Sequence, residues 1–259
     1  MPIVTLTTDF GDRDYYVGAM KGVILGIAPT AQLVDISHHI PPQDILAGAF
    51  VLRHAAREFP RATVHLAIID PSAGTKRRAL VFAADDQIWV GPDNGLFSFI
   101  FDRVDGDVHQ IDREDLCAAN PSHTFNGRDL LAPIAAHLSR GLDVSEIGPA
   151  IPDPIRLSET TPYKTTERIE GQIIHIDRFG NLVSNISAAD IAPWCRNLHI
   201  RLDTHLLSGL EQTYSDVALN APLALIGDAD LVEISVNGGS AAQYFGIGRR
   251  TSIIIEKPS

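Results

Sequence analysis

The sequence predicts an α/β amino-terminal domain over residues 1–160, a mostly parallel sheet with flanking helices, and an all-β carboxy-terminal domain over residues 168–259, a small barrel. Three observations support this fold class. Up to about residue 160, apolar runs of strand length alternate with segments whose apolar residues recur at helical spacing. A proline-rich stretch over residues 148–166 then reads as a linker. Beyond it, short apolar runs are separated by turn residues.

The first half of the amino-terminal domain has the order strand, helix, strand, helix, strand. We expect strands at 3–8, 32–36 and 64–69, and helices at 15–27 and 44–58. In parallel sheets of this kind, ligands bind beyond the carboxyl ends of the strands. Asp9, His38 and Asp70 each follow such an end, which makes this edge of the sheet the candidate site.

The remaining elements follow in order. The domain continues with strands at 79–84, 87–90 and 108–111, a short helix reaching residue 101, and a helix that opens at 124–129 and ends at Gly141. The carboxy-terminal strands are expected at 171–176, 182–186, 198–202, 222–226, 231–236 and 252–255.

The composition limits the partners and the compartment. The chain has 259 residues and a net charge of -11, so it has little attraction for nucleic acid or for an anionic membrane surface. No apolar run approaches the roughly 20 residues of a membrane span, and the first residues lack the features of a signal peptide. With only two cysteines, we expect a cytoplasmic protein without a disulfide framework.

The stretch around Asp70 carries the strongest local signal. A strand runs into this carboxylate, a turn built from Pro71 and Gly74 follows, and Arg77 begins the return. We expect the guanidinium of Arg77 to approach the Asp70 carboxylate, where the pair can hold a small polar nucleophile such as water. The alternative from this stretch alone is a surface hairpin with one ion pair.

Six separated motifs, taken together, resemble one family, the S-adenosylmethionine (SAM) hydroxide adenosyltransferases, or SAM hydrolases, which are related to fluorinase and chlorinase. The resemblance covers nearly the whole chain. The motifs occur in the order Thr8-Asp9-Phe10-Gly11, Asp70-Pro71-x-x-Gly74-Thr75-x-Arg77-Arg78, Gly91-Pro92-Asp93-Asn94-Gly95, Thr124-Phe125-x-Gly127-Arg128-Asp129, Ile176-Asp177-x-Phe179-Gly180-Asn181 and Glu233-Ile-x-Val-Asn237.

The resemblance implies an activity and an assembly. It implies attack of water or hydroxide on C5′ of SAM, giving adenosine and methionine, with SAM as substrate and no metal or other cofactor. It also implies a homotrimer, with each active site between the α/β domain of one subunit and the barrel of the next.

The resemblance assigns water handling to an Asp–Arg–His set. Asp70 and Arg77 match its first two members, but Asn126 stands where the family has histidine. An asparagine can hold a water by hydrogen bonds but cannot take a proton. His123, three residues earlier, is a possible substitute, although a loop histidine is more often simply solvated.

Substrate-binding residues are carried over in the same way. Asp9 matches the carboxylate that binds both ribose hydroxyls, and Asp14 and Tyr16 lie in the matching loop. From the carboxy-terminal domain, Asp177 would pair with the methionine ammonium beside Asn181. Phe179 and Tyr214 match aromatic residues of the pocket, where they would flank the purine, and Asn237 with the two glycines after it resembles a segment that meets adenine through backbone groups. A turn or core role is the alternative for each of these residues, which are Asp9, Asp14, Tyr16, Asp177, Phe179, Asn181, Tyr214 and Asn237.

Three other functions remain open from the sequence. A non-catalytic SAM- or adenosine-binding protein is supported by Asn126. A SAM-dependent halogenase is disfavoured by Asp70, whose carboxylate repels halide, and by Ala73 in place of a halide-binding threonine. A metal hydrolase would draw its ligands from Asp9, Asp12, Asp14, His38, His39 and Asp44.

Overall fold

The structure is a computed structural model that describes residues 1–72, 77–194 and 198–257. The chain divides into two compact units, residues 1–157 and residues 158–259. Among the described residues, buried apolar side chains form two hydrophobic cores in the first unit and one in the second.

The first unit alternates strands and helices in its first half and is richer in strands afterwards. A π-helical turn, Gly127–Leu131, leads directly into its last helix. In chain order the elements are β1 (Ile3–Thr8), α1 (Tyr16–Ile27), β2 (Gln32–Ser37), α2 (Ile45–Ala56), β3 (Val64–Ile68), β4 (Ala79–Ala84), β5 (Gln87–Pro92), β6 (Val108–Gln110), α3 (Ala132–Ser139) and β7 (Ala150–Ile151).

The sheet of the first unit is mixed, which corrects the expectation of a mostly parallel sheet. Its strand order is β2-β1-β3-β5-β4-β6-β7. The β2–β1–β3–β5 half is parallel, whereas the β5–β4–β6–β7 half is antiparallel. Only Asp85 and Asp86 connect β4 to β5, with φ of 54° and 59°. A two-residue loop with positive φ at both positions closes a hairpin and cannot form a parallel crossover.

Helices cover both faces of this sheet. The apolar side of α1, including Met20 and Ile24, packs with α3 and with Val4 and Leu6 of β1 in one core. Helix α2 packs through Leu52 against the opposite face, in a second core. The side chain of Asp44 caps α2 by accepting a hydrogen bond from the N–H of Ala47 at 3.1 Å, which fixes where this helix begins.

Part of the expected linker is ordered structure. Arg78 binds the carboxylate and the carbonyl of Asp153 at 2.8 and 2.9 Å, and β7 adds an edge strand to the sheet. Beyond the unit boundary, the chain forms a 3₁₀ turn, Ser158–Thr160. The prolines of this stretch therefore lie between short ordered pieces.

The second unit is mostly antiparallel sheet that nearly closes into a barrel. Its strand order is β12-β11-β15-β9-β10-β14-β13, with β8 paired to β9. Two short helices accompany the sheet. The elements are β8 (Tyr163–Lys164), β9 (Arg168–Ile176), β10 (Leu182–Ser187), α4 (Ala188–Ile191), β11 (His199–Leu202), β12 (His205–Ser208), β13 (Pro222–Ile226), β14 (Leu231–Val236), α5 (Ala241–Phe245) and β15 (Ser252–Glu256).

No helix in the described part of the chain is long and apolar enough to cross a membrane.

Candidate active site

Three predicted site residues gather at one edge of the first unit. Because β1, β2 and β3 are parallel neighbours, their carboxyl ends point the same way. Asp9 follows β1 directly, His38 follows β2, and Asp70 lies two residues beyond β3. The parallel half of the sheet is therefore the half that builds the predicted site.

Asp70 and Arg77 form the expected ion pair. Arg77 donates a hydrogen bond to Oδ1 of Asp70, which also accepts one from the N–H of Ser72 at 3.0 Å. The side chain of Asp70 is only 7% exposed and that of Arg77 only 14%. Oδ2 of Asp70 has no hydrogen-bond partner within the described residues. The turn residues between the two, including Ala73 and Gly74, lie outside that part of the chain.

Hydrogen bonds from Asn94 and Arg78 fix the backbone on either side of this pair. Asn94 donates its side-chain amide to the carbonyl of Ile69 at 2.8 Å, which fixes the backbone just before Asp70. Arg78 binds the buried carboxylate of Asp93 at 2.8 Å, which fixes the backbone just after Arg77. Burial lowers the pKa of Arg77, partly offset by the charge of Asp93. Arg77 nevertheless keeps its positive charge at neutral pH, because the pKa of a guanidinium lies far above that range.

Asp9 is half-buried and has one carboxylate oxygen occupied. Its Oδ2 accepts the N–H of Gln43 at 2.7 Å, and Gln43 has a φ of 65°. Oδ1 has no partner among residues that the structure describes. The preceding Thr8 hydroxyl bonds to Nδ1 of His38 at 2.8 Å, so the end of β1 is tied to the end of β2.

The loop after Asp9 carries an aromatic cluster. Tyr16 packs against Phe10 and Phe125, with ring centroids 5.8 and 5.1 Å apart. Tyr16 is 37% exposed, and Asp14 is exposed as well. Both predicted residues therefore lie on the surface of this unit, beside the strand ends.

Asn126 lies immediately before the π-helical turn and is half-buried. Gly127 packs directly on the last residue of β3, since a Cβ at Gly127 would lie 3.0 Å from Cδ1 of Ile68. This close approach brings Asn126 to the strand end that leads to Asp70. His123, the suggested substitute, is exposed.

The second unit contains a cavity of about 690 Å³ that includes four of its five predicted residues. Phe179, at 76% exposed, and Tyr214, at 43%, supply aromatic surface to it. Sequence reasoning gave no role to two further carboxylates in its lining. The lining residues are Asp177, Phe179, Asn181, Tyr214, Asp228, Glu233, Val236, Gly238 and Gly239.

Asp177 organises a tight turn in this lining. Its Oδ1 accepts the N–H groups of Phe179 and Asn181, both at 2.9 Å, and its Oδ2 accepts the side-chain amide of Asn181 at 2.8 Å. Gly180 has a φ of 87°, and a Cβ there would lie 2.0 Å from the Ser240 hydroxyl. Asp177 therefore stabilises a turn, which was the alternative role expected from the sequence, and it also lines the cavity.

Tyr214 is tied to a buried carboxylate. Its hydroxyl donates to Oε1 of Glu233 at 2.9 Å, and the Ser235 hydroxyl donates to the same oxygen at 2.7 Å. Burial and the hydrogen bond with Glu233 raise the pKa of Tyr214 to about 12, with smaller contributions from the charges of Glu233, Asp177 and Asp228. The tyrosine therefore remains a hydrogen-bond donor at neutral pH.

Asn237 lies outside the cavity lining, unlike the other predicted site residues of the second unit. Its side-chain amide donates to the carbonyl of Val217 at 2.8 Å, and it is not among the residues that line the cavity. The two glycines that follow, Gly238 and Gly239, do line it.

Two further observations concern other possible sites. Within the described ranges, no group of three or more His, Cys, Asp or Glu residues is arranged to hold a metal ion. A larger cavity of about 840 Å³ opens at the amino end of β1 and contains none of the predicted site residues.

The fold and these features define a two-unit class of protein, with a strand-end carboxylate–arginine pair in an α/β unit and an aromatic, acidic cavity in a barrel-like unit. Residues 4–148 match the SAM hydroxide adenosyltransferase N-terminal domain, and residues 171–254 match the C-terminal domain. The chain belongs to the SAM hydroxide adenosyltransferase family.

Relatives with curated names agree with this assignment. The chain is 34% identical over 250 residues to a protein of Salinispora tropica named (R)-S-adenosyl-L-methionine hydrolase, covering 95% of this chain and 94% of that one. It is 36% identical over 253 residues to a Thermus thermophilus protein of the same name, covering 94% and 95%. A fluorinase of an Actinoplanes species is more distant, at 25% identity over 291 residues, covering 99% and 98%.

Among solved structures, the chain is similar to an uncharacterized conserved protein from Thermotoga maritima. The TM-score is 0.89 at 31% sequence identity, with 98% of this chain and 100% of that chain covered.

Proposed function

We propose that this protein hydrolyses SAM to adenosine and L-methionine by attack of water or hydroxide on C5′. The observation that carries the proposal is the buried Asp70–Arg77 pair, in which no described residue occupies the second carboxylate oxygen, in a chain of the SAM hydroxide adenosyltransferase family. Curated relatives at 34–36% identity over most of the chain are named for SAM hydrolysis.

The chemistry suits such a site. SAM is a sulfonium cation whose thioether leaves as a neutral group. The water oxygen forms a bond to C5′, the C5′–S bond breaks, and its electron pair remains on the sulfur of methionine. The charge of an attacking hydroxide and that of the sulfonium cancel, so a site that excludes bulk water favours the step. Most of the rate enhancement then comes from holding the nucleophile in line with the C5′–S bond.

Asp70 is the residue that orients the water and accepts its proton. Among the described residues, Ser72 and Arg77 donate to Oδ1 and none donates to Oδ2, so Oδ2 is the oxygen that we assign to the water. Arg77 fixes the carboxylate, and its positive charge favours hydroxide over water. Asn126, near the same strand end, holds the water by a hydrogen bond without taking its proton.

Asp9 binds the ribose. An ionised carboxylate only accepts hydrogen bonds, and Oδ1 of Asp9, which has no partner among the described residues, can accept one from a ribose hydroxyl while Gln43 holds Oδ2. Asp14 and Tyr16, exposed beside it, line the same part of the site.

The cavity of the second unit receives the remaining parts of the substrate. Asp177 pairs with the methionine ammonium, and Asn181 supports it. The aromatic side chains of Phe179 and Tyr214 pack against the purine. Asn237 contributes by holding the segment before the glycine turn, since its side chain is bound to Val217.

The proposal includes an assembly, a compartment and a lack of cofactor. The family resemblance supports a homotrimer with active sites shared between subunits, and a reaction without a metal. The low cysteine content and the net charge of -11 support a cytoplasmic protein with no nucleic-acid or membrane partner.

Product analysis tests the proposed function. Purified protein is incubated with SAM, with and without chloride or fluoride, and products are separated by chromatography. We expect adenosine and methionine in equal amounts, unaffected by halide. Halogenated adenosine would identify a halogenase instead. Retention of SAM or adenosine without product would identify a binding protein, the second candidate, which Asn126 favours.

A further inference from the structure

Glu233 is a buried carboxylate that the reaction described above does not use. It lies in the middle of β14 and is only 5% exposed. Removing a carboxylate from water is unfavourable unless partners replace its hydration. A buried carboxylate such as Glu233 therefore requires hydrogen-bond donors or a cation as partners.

Partners among the described residues satisfy only one of its oxygens. Tyr214 and Ser235 both donate to Oε1. Oε2 has no hydrogen-bond partner in the part of the chain that the structure describes, and no cation pairs with Glu233 there. A Cβ at Gly227 would lie 2.7 Å from Oε2, so the backbone approaches this oxygen closely and restricts the rotation of the carboxylate.

The surroundings indicate which ligand group meets this oxygen. Glu233 lines the cavity of the second unit together with the rings of Phe179 and Tyr214. The purine is the planar part of an adenosyl substrate, and aromatic side chains are its best packing partners. A carboxylate bonded to Tyr214 therefore lies beside the edge of the base. It can only accept hydrogen bonds, and the exocyclic amino group of adenine is a donor.

We propose that Glu233 selects adenine by accepting a hydrogen bond from its exocyclic amino group through Oε2. Tyr214 and Ser235 hold the carboxylate in place through Oε1. A base with a carbonyl at the same position, as in inosine, places its carbonyl oxygen against Oε2 of Glu233. Both oxygens are hydrogen-bond acceptors, so such a base binds more weakly. This inference rests on the proposed function, because it requires an adenosyl substrate in this cavity.

Nucleoside binding tests the proposal. Adenosine and inosine are titrated calorimetrically into the full-length protein and into the variants Glu233→Gln and Glu256→Gln. The wild type is expected to bind adenosine about 10- to 100-fold more tightly than inosine, as for loss of a hydrogen bond to a charged group. In Glu233→Gln, the two affinities should come within about threefold of each other, since the amide can donate to the inosine carbonyl.

Glu256→Gln is the matched control, because it makes the same chemical change at a carboxylate that is bound to Arg201 and does not line the cavity. It should keep the wild-type preference. The proposal is overturned if the wild type does not prefer adenosine, if Glu233→Gln keeps the preference, or if that variant weakens both nucleosides equally.

SAM turnover is measured on the same wild-type preparation. Turnover without an adenosine preference would overturn the role of Glu233 and leave the proposed function intact. An adenosine preference without turnover would overturn the hydrolase function and leave the base-selecting role of Glu233 supported.

Discussion

Arg77 donates its hydrogen bond to Oδ1 of Asp70, so the residue two positions beyond β3 and the residue two positions before β4 form one buried ion pair. The bond joins the segments on either side of residues 73–76, and no described residue donates to Oδ2 of Asp70. The geometry places a fixed acceptor at the carboxyl end of a central parallel strand, which is where ligands bind in such sheets.

The first prediction concerns Asp70. Asp70→Asn keeps the size of the side chain but removes its ability to take a proton, so kcat should fall by about 10²- to 10³-fold. Steady-state kinetics with SAM measure this effect. Asp86→Asn is a suitable control, because Asp86 is an exposed residue at positive φ, a conformation that asparagine tolerates, and its activity should equal that of the wild type. Wild-type kcat in Asp70→Asn would remove Asp70 from the mechanism.

The second prediction concerns Arg77. In Arg77→Gln the Asp70 carboxylate loses its neighbouring cation and is protonated more easily. The acidic limb of the profile of kcat/KM against pH should therefore move to higher pH, and the maximum rate should fall. A variant whose profile keeps its wild-type position, with only a lower maximum, would show that Arg77 does not act through Asp70.

A third prediction separates Asn126 from His123. Asn126→His introduces a group that can take a proton at the strand end, so we expect a higher kcat, with a pH dependence near neutrality that the wild type lacks. His123→Gln should leave kcat within about twofold, because an exposed loop side chain is more often solvated than functional. A large loss in His123→Gln would identify His123 as the substitute for the family histidine.

The fourth prediction concerns stability and pH. Burial lowers the pKa of His65 from 6.5 to about 4. As the pH falls from 6.5 to 4, His65 binds a proton in the unfolded chain but not in the folded chain. The free energy of unfolding therefore decreases, by roughly 3 kcal/mol at most. His65→Phe keeps a ring stacked on Trp89 but does not titrate. Denaturant unfolding at several pH values should show a shallower decrease in this variant, and an equally steep one would contradict the assignment.

The fifth prediction concerns metals. Because charge cancellation and positioning suffice for the proposed step, dialysis against a chelator should leave the rate of SAM turnover unchanged. A rate that is lost on dialysis and restored by one divalent metal would contradict the metal-free mechanism.

Much of the first unit could be predicted from local patterns. β1 occupies the predicted residues, and the parallel order of β1, β2 and β3 was correctly expected from the alternation of strands and helices. The antiparallel pairing of β4 with β5 was missed, although the two-residue Asp85–Asp86 connection is a local signal for a hairpin. In the second unit, β12 was missed because its residues are largely exposed and carry no clear alternation.

The candidate site also has features that local sequence patterns predict and features that they do not. The Asp70–Arg77 ion pair was predicted from a strand, a turn and two charges close in sequence. The contact between Tyr214 and Glu233 joins residues 19 positions apart through a barrel-like sheet, and no local pattern encodes such a pairing. Sequence reasoning therefore found the motif that contains Glu233 but gave the residue no role.

The measurement that tests the central claim most directly is the reaction in water labelled with heavy oxygen. Mass spectrometry of the products locates the label. Attack of water on C5′ predicts heavy oxygen in the 5′-hydroxyl of adenosine and none in methionine. Label in a product derived from the methionine chain, or unlabelled adenosine, would contradict the account.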